Sequence, residues 1–362
     1  MQLRTKLVIL SLFFATGILA QTAPKYSNEF LSIGVGARAL ALGNSVIASV
    51  DDITSLYWNP AGLVQIDKPF EIGAMHSEYF AGLSKYDFIG AAYRPDDKST
   101  LGVSMIRFGV DDIPNTLDLI DNDGNIRYDR ISSFSVADYA FLLSYARKAP
   151  IQGLSYGANL KVIRRIAGDF GGAWGFGFDL GAQYAMNNWL FGVQARDITS
   201  TFNAWTYNTE TFREVFLQTG NEIPQNSLEI TLPRLLFGAG YKFNLPHNII
   251  LYPELGIDAT FDGKRNTPLR TDLLSIDPHL GLEASYNQLV FVRMGVSNFQ
   301  QIPSFDNTQT LSWQPNIGLG VHYRGLRIDY AMTDIGNQSI ALYSHVFSLS
   351  YRFSGKNTNQ KS

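Results

Sequence analysis

From residue 69 onward the chain alternates apolar positions with polar or glycine positions, the period-2 signature of a strand with two unlike faces. Between residues 174 and 184, Trp174, Phe176, Phe178, Leu180, Ala182 and Tyr184 fall on one face, and Gly175, Gly177, Asp179, Gly181 and Gln183 on the other. The pattern predicts fourteen strands, roughly 69–76, 86–94, 99–108, 136–147, 153–166, 173–186, 189–198, 233–243, 248–261, 277–286, 289–297, 312–323, 326–334 and 340–353. Short turn-like connections, such as Asn187-Asn188, Asn287-Gln288 and Arg324-Gly325, follow every second strand. The long connections, about 109–135, 199–232, 262–276 and 298–311, all fall between them.

That sorting predicts an all-β transmembrane antiparallel barrel, because outer-membrane barrels place short turns at one end and long loops at the other. A soluble sandwich would share the alternation but has no reason to sort its loops. Aromatic residues flank the apolar faces, as Trp313 and Tyr323 flank Ile317, Leu319 and Val321, and predict interfacial girdles. The opposite face carries Asp179, Arg196, Lys242, Glu254, Asp258, Arg293, Arg327 and Asp329, which predicts a charged lumen.

The amino terminus agrees with export. Arg4 and Lys6 precede an apolar run from Leu7 to Leu19, and Ala20 offers a cleavage site, so residues 1–20 read as a signal peptide. Beyond it no apolar run approaches the ~20 residues of a spanning helix. Of 362 residues, 17% are charged and none is Cys, which excludes a lipoprotein or a disulfide scaffold. Cleavage removes Arg4 and Lys6 and takes the formal charge from −3 to −5, against nucleic-acid binding. The expected organisation is a signal peptide (1–20), a plug or hatch segment (21–68), a barrel (69–353) and a polar periplasmic tail (354–362).

The segment before the first strand is rich in small residues, with Ile33-Gly34-Val35-Gly36-Ala37-Arg38-Ala39-Leu40-Ala41-Leu42-Gly43, then Asp51-Asp52, then Trp58-Asn59-Pro60-Ala61-Gly62. Such composition allows close packing, and Asn-Pro-Ala-Gly is a turn. With Phe30-Leu31 ahead of it, this stretch resembles the amino-terminal region of the PorV/PorQ family, outer-membrane proteins of type IX secretion related to FadL-type channels. The resemblance implies a plugged barrel and a non-enzymatic role: binding the secretion translocon, secreted cargo or attachment-complex proteins, and passing cargo to surface attachment. The alternative it leaves open is a FadL-like channel for hydrophobic small molecules, with a ligand in the lumen.

Candidate chemistry is sparse. His76, His247, His279, His322 and His345 show no metal-ligand spacing and no nucleophile nearby, so no enzyme, metal or cofactor is expected. Asp121-Asn122-Asp123-Gly124-Asn125 is out of register for a calcium loop and reads as a solvated turn. The plug motif rests on Gly36, Arg38, Gly43, Asp51, Asp52, Trp58, Asn59 and Pro60; the two Asp read first as caps, secondly as partners for lumen charges. Asp179, Arg293, Arg327 and Asp329 are the candidate lumen charges. Cross-strand pairing is their default, and Arg293 and Arg327 would meet a carboxylate ligand. Phe202, Trp205, Tyr207, Phe212 and Phe216 mark a loop that either folds over the mouth or anchors a partner. Tyr351 and Phe353 end the last strand and resemble a barrel-assembly signal.

Overall fold

A computed structural model describes residues 27–121, 123–210, 213, 216, 222–303, 309–334 and 344–354. The expected signal peptide and all of the polar tail beyond Ser354 lie outside them. In chain order the strands are β1 (Phe70–Tyr79), β2 (Ser84–Tyr93), β3 (Ser99–Asn115), β4 (Ser132–Lys148), β5 (Leu154–Ala167), β6 (Gly171–Met186), β7 (Trp189–Arg196), β8 (Thr201–Tyr207) and β9 (Ser227–Thr231). They continue as β10 (Arg234–Tyr241), β11 (Phe243–Leu245), β12 (Ile249–Thr260), β13 (Leu269–Arg270), β14 (Ser275–Tyr286), β15 (Val290–Pro303), β16 (Gln309–Tyr323), β17 (Leu326–Thr333) and β18 (Ser344–Phe353).

Fourteen of these close a ring of antiparallel neighbours. It runs from β1 to β7, then through β10, β12 and β14 to β18, and β18 returns to β1 with Phe70 opposite Phe353. Each of the fourteen expected segments corresponds to one strand of the ring. A two-residue turn, Arg324-Gly325, closes β16–β17 and a three-residue one, 287–289, closes β14–β15, with positive φ at Arg324 and Gly325 and at Asn287 and Gln288, the twist that suits a tight hairpin.

The other strands were not expected. β8 and β9 occupy the long connection 199–232, where β8 pairs with the far end of β6 and β9 with β8. β11 prolongs β10 along β12, and β13 is a two-residue strand on β14. The hairpins β3–β4 and β15–β16 also run further than expected, through register shifts between Val110 and Ile113 and between Ser297 and Gln300. Beyond the membrane both faces of a strand meet water, so pairing continues after the apolar alternation has stopped.

Burial is inverted relative to a soluble protein. Phe176, Phe178, Leu180, Val292, Ile317, Leu319 and Leu349 are all exposed on the outside of the ring, while Arg293 and Glu71 are buried inside it. Lipid replaces a second sheet as the partner of the apolar face.

The closing contact carries a prediction. The Phe353 ring lies 5.6 Å from Phe70 and 4.7 Å from Tyr351. Phe353→Ala is expected to lower assembled barrel several-fold, seen as loss of the heat-modifiable band; unchanged abundance and migration would refute the role of this seam.

Candidate functional site: the filled lumen

Residues 27–66 form no strand. They make short helical turns, Glu29–Ser32, Ala37–Ala41, Ser55–Trp58 and Pro60–Gln65, and nearly all of them are buried. Val35, Ala37, Ala41, Ile47, Leu56 and Leu63 have no exposed surface. Their contacts reach inward-facing residues on strands all round the ring, so the segment occupies the lumen.

Glycine on the wall makes the fit possible. A Cβ on Gly192 would lie 2.2 Å from the Ile47 carbonyl oxygen, and one on Gly295 2.2 Å from the Leu42 carbonyl carbon. Several wall glycines face one another across strands, as Gly157 with Gly181, Gly192 with Gly238, and Gly281 with Gly295. Backbone of the segment therefore touches backbone of the wall. The segment answers with its own glycine at Gly43, whose φ is +60° and which lies against the Val296 backbone.

Polar hooks hold the segment in place. Arg38 donates to Glu283 at 2.9 Å, and Arg293 donates to the same carboxylate at 2.6 Å and to Asp329 at 2.6 Å. Arg327 reaches Asp51 at 3.2 Å and Asp52 at 3.4 Å. Arg352 donates to Glu71 at 2.7 Å and to the Asp51 carbonyl at 2.6 Å, while the Ile53 amide donates to Glu71. The Ala48 amide donates to Glu254 at 2.8 Å, and Ser45 Oγ lies 2.9 Å from His279 Nδ1.

The opposite wall grips the second half. Asn59 donates to the Ile47 and Ala182 carbonyls, and its side-chain oxygen accepts from the Ala61 amide, with Pro60 starting the following turn. Asn159 donates to the Leu56 carbonyl at 2.9 Å, and Arg196 lies over the Tyr57 ring and donates to its hydroxyl. Trp58 donates its indole N–H to Val35 within the segment at 2.7 Å.

The candidate residues sort as follows. Asp52 caps no helix: it accepts from the Thr54 amide at 2.9 Å in the turn that leads into Ser55–Trp58, where Thr54 holds the cap position, and it pairs with Arg327. Arg38 meets Glu283 rather than the candidate lumen charges. Arg293 and Arg327, the first candidates for any carboxylate ligand, are each engaged by protein carboxylates. Asp179 pairs with Lys161, which also binds Asp197. Thus the default of purely cross-strand pairing is corrected for Arg327, whose partners come from the segment because its guanidinium faces it.

Phe202, Trp205 and Tyr207 lie on β8 rather than in a loop. Phe202 packs 6.0 Å from Phe176, Trp205 stacks 5.8 Å from Tyr207, and Arg165 sits over Trp205. Phe216 lies in a helical turn, and Phe212 is outside the described residues. At the tip of the loop between β3 and β4, Asp121 accepts from the amides of Asn125 and Asp123, and these bonds, Asn125 first, hold its carboxyl below the usual range.

Sequence reasoning missed Glu71, Glu283, Asn159, Lys161 and Arg352 and the wall glycines. The signal was available for the first group, since alternation with Phe70 and Ile72 already places Glu71 inward. The glycines carry no such mark, because what they approach is distant in sequence.

Two chambers flank the segment. One of 690 Å³ opens toward the long loops and includes Arg196, Arg234, Asp258, Asp277 and His279. The other, 610 Å³ at the turn end, includes Arg38, Asp51, Lys242, Arg327 and Arg352.

Glu283→Ala would leave the buried guanidinium groups of Arg38 and Arg293 short of a partner. Loss of one member of a buried pair costs about 3–5 kcal/mol. A clear fall in the denaturant midpoint of the barrel in detergent micelles is expected, and an unchanged midpoint would show that the pairs contribute nothing.

Comparison with known proteins identifies the barrel fold and the family. No curated protein matches the sequence. Among solved structures, the CymD monoaromatic hydrocarbon channel is 13% identical with a TM-score of 0.56, covering 89% of this chain and 98% of that one. The P. putida toluene transporter TodX is 14% identical with a TM-score of 0.53, covering 89% and 99%. The Ralstonia pickettii toluene transporter TbuX is 12% identical with a TM-score of 0.51, covering 88% and 98%. These show a shared outer-membrane barrel fold. The family model of the type IX secretion system protein PorV matches residues 20–204, half of the chain, and the protein is a member of the PorV family of outer-membrane barrels.

Proposed function

We propose that this barrel is a non-enzymatic component of type IX secretion, in which residues 27–66 plug the lumen and the outer rim binds protein. The observation that carries this reading is the filled lumen: backbone of the segment lies against wall glycines on many strands, and ion pairs of Arg38, Asp51 and Asp52 with the wall hold it at the turn end. A barrel so closed works through its surfaces. Membership of the PorV family supports partners within the secretion system, and in this reading they are the translocon and the cargo or attachment proteins.

The second reading is a channel for hydrophobic small molecules, favoured by the fold shared with CymD and TodX. Fold alone carries no function at that identity. Both chambers beside the segment are lined with charged side chains, which suits polypeptide better than hydrocarbon.

The outer rim beside β8 and β9 is the proposed partner surface. Because Asn203 bonds to Asn28 and β8 pairs with both β6 and β9, a test of this surface must spare those strands. Removal of residues 209–225 is expected to leave the barrel folded and to abolish capture of secretion partners. The assay is purification of the tagged protein from outer membranes in mild detergent, with mass spectrometry of proteins and lipids together. Capture retained by the deletion would place the surface elsewhere; recovery of hydrophobic ligand without secretion proteins would establish the channel.

A further inference from the structure

The lipid-facing side of the ring has a gap in its apolar band. Outward positions of β1 run Phe70, Ile72, Ala74, then His76 and Glu78; those of β2 run Tyr93, Ala91, Ile89, then Asp87 and Lys85. On β3 the run is Leu101, Val103, Met105, then Arg107. Register places His76 opposite Asp87 and Asp87 opposite Arg107, so the polar positions are neighbours on the same outer face as the exposed Ile72, Ile89 and Val103.

These groups satisfy one another. His76 Nδ1 lies 2.6 Å from Asp87, Arg107 lies 3.8 Å from Asp87 and 3.1 Å from Asp111, and Lys85 lies 3.5 Å from Asp111. None is hidden in the wall: the His76 side chain is 50% exposed and Lys85 45%. Charge held against hydrocarbon is costly and the cost falls toward the interface.

The height of the gap follows from strand geometry. At ~3.3 Å per residue and a tilt of about 40°, each residue climbs about 2.5 Å. On β16 the outward face stays apolar from Tyr323 to Leu311, and on β6 from Tyr184 to Trp174. Those runs are about 30 Å and 25 Å tall, matching a membrane barrel's apolar band of ~25 Å. From Phe70 to Ala74 the band is only about 10 Å, and from Phe353 to Phe347 on β18 about 15 Å, by the same rise. Phe70, Tyr93, Tyr323 and Phe353 share one rim, so the shortfall is all at the outer side. Rigid tilting of the barrel cannot absorb it, because β16, two strands from β18, keeps its full band.

We propose that the outward face of β18, β1, β2 and β3 is a contact site for the lipid headgroup layer, which dips there to meet His76, Asp87 and Arg107 and thins the outer leaflet locally. Below the charges the wall is recessed into an apolar concavity of 610 Å³, lined by Ile72, Ala74, Ile89, Ala91, Val103 and Leu349. Displaced acyl chains would fill it.

The absence of Cys allows single spin labels to be placed at will. Phe347→Cys and Phe178→Cys each stand six residues above a rim aromatic, Phe353 and Tyr184 respectively. In purified protein reconstituted into dioleoylphosphatidylcholine vesicles, the label at 347 is expected to collide several-fold more often with a water-soluble nickel chelate, relative to oxygen, than the label at 178. Adding His76→Leu, Asp87→Leu and Arg107→Leu should bring the two positions together. Equal accessibility without those changes overturns the proposal, as does a difference that the triple substitution leaves intact. The comparison in the otherwise unaltered barrel decides even if the triple variant does not fold. Equal values in pure lipid, with polar shielding restored only by added outer-membrane proteins, would assign the face to a protein neighbour instead.

Discussion

A ring of fourteen strands encloses more space than its own inward side chains can fill, and the structure meets that constraint with backbone rather than bulk. Residues 27–66 enter the lumen, and the wall opposite them gives up its side chains where contact is closest. Gly192 against Ile47 and Gly295 against Leu42 are the clearest cases. Each bulky wall residue removed admits a stretch of chain that brings its own apolar side chains, so the core of this barrel is formed between the segment and the wall.

Charge follows from the same arrangement. A folded segment inside a barrel has amides and carbonyls that the strand ladder does not satisfy, and unpaired buried polar groups are costly. The wall therefore supplies Glu71 to Ile53, Glu254 to Ala48, Asn159 to Leu56 and Gln183 to Val50. Glu283 balances the guanidinium groups of Arg38 and Arg293, and Glu71 that of Arg352. The anchors lie on strands as far apart in sequence as β1 and β18, so the seating of the segment and the closure of the ring depend on each other.

The fourteen ring strands were legible because lipid on one side and a polar interior on the other impose period 2 on every one of them. Loop lengths then separated a short-turn end of the ring from a long-loop end. Strand ends were not legible at β3, β4, β15 and β16, where pairing outlasts the contrast between faces, nor at β8 and β9, whose aromatic and polar residues read as a loop. Arg38, Asp51, Asp52 and Arg327 could be proposed as partners in kind, yet Arg38 paired with Glu283, on a strand that local pattern could not single out. The wall glycines looked like ordinary small positions, since the backbone they approach lies more than a hundred residues away for Gly192 and Gly295.

The occupied lumen also bears on how far the likeness to hydrocarbon channels extends. A shared ring topology at 13% identity fixes strand number and closure, and function depends on what lines the path through it. Here the spaces on either side of the segment present arginine, aspartate and histidine, and the recess of apolar character faces lipid rather than the lumen. A small apolar molecule in the chamber beside the long loops meets Arg196, Arg234, Asp258 and His279 alongside Ile33, Leu40 and Trp58. The charged lining of these spaces is what favours, in the function proposed here, a protein partner over a hydrocarbon cargo.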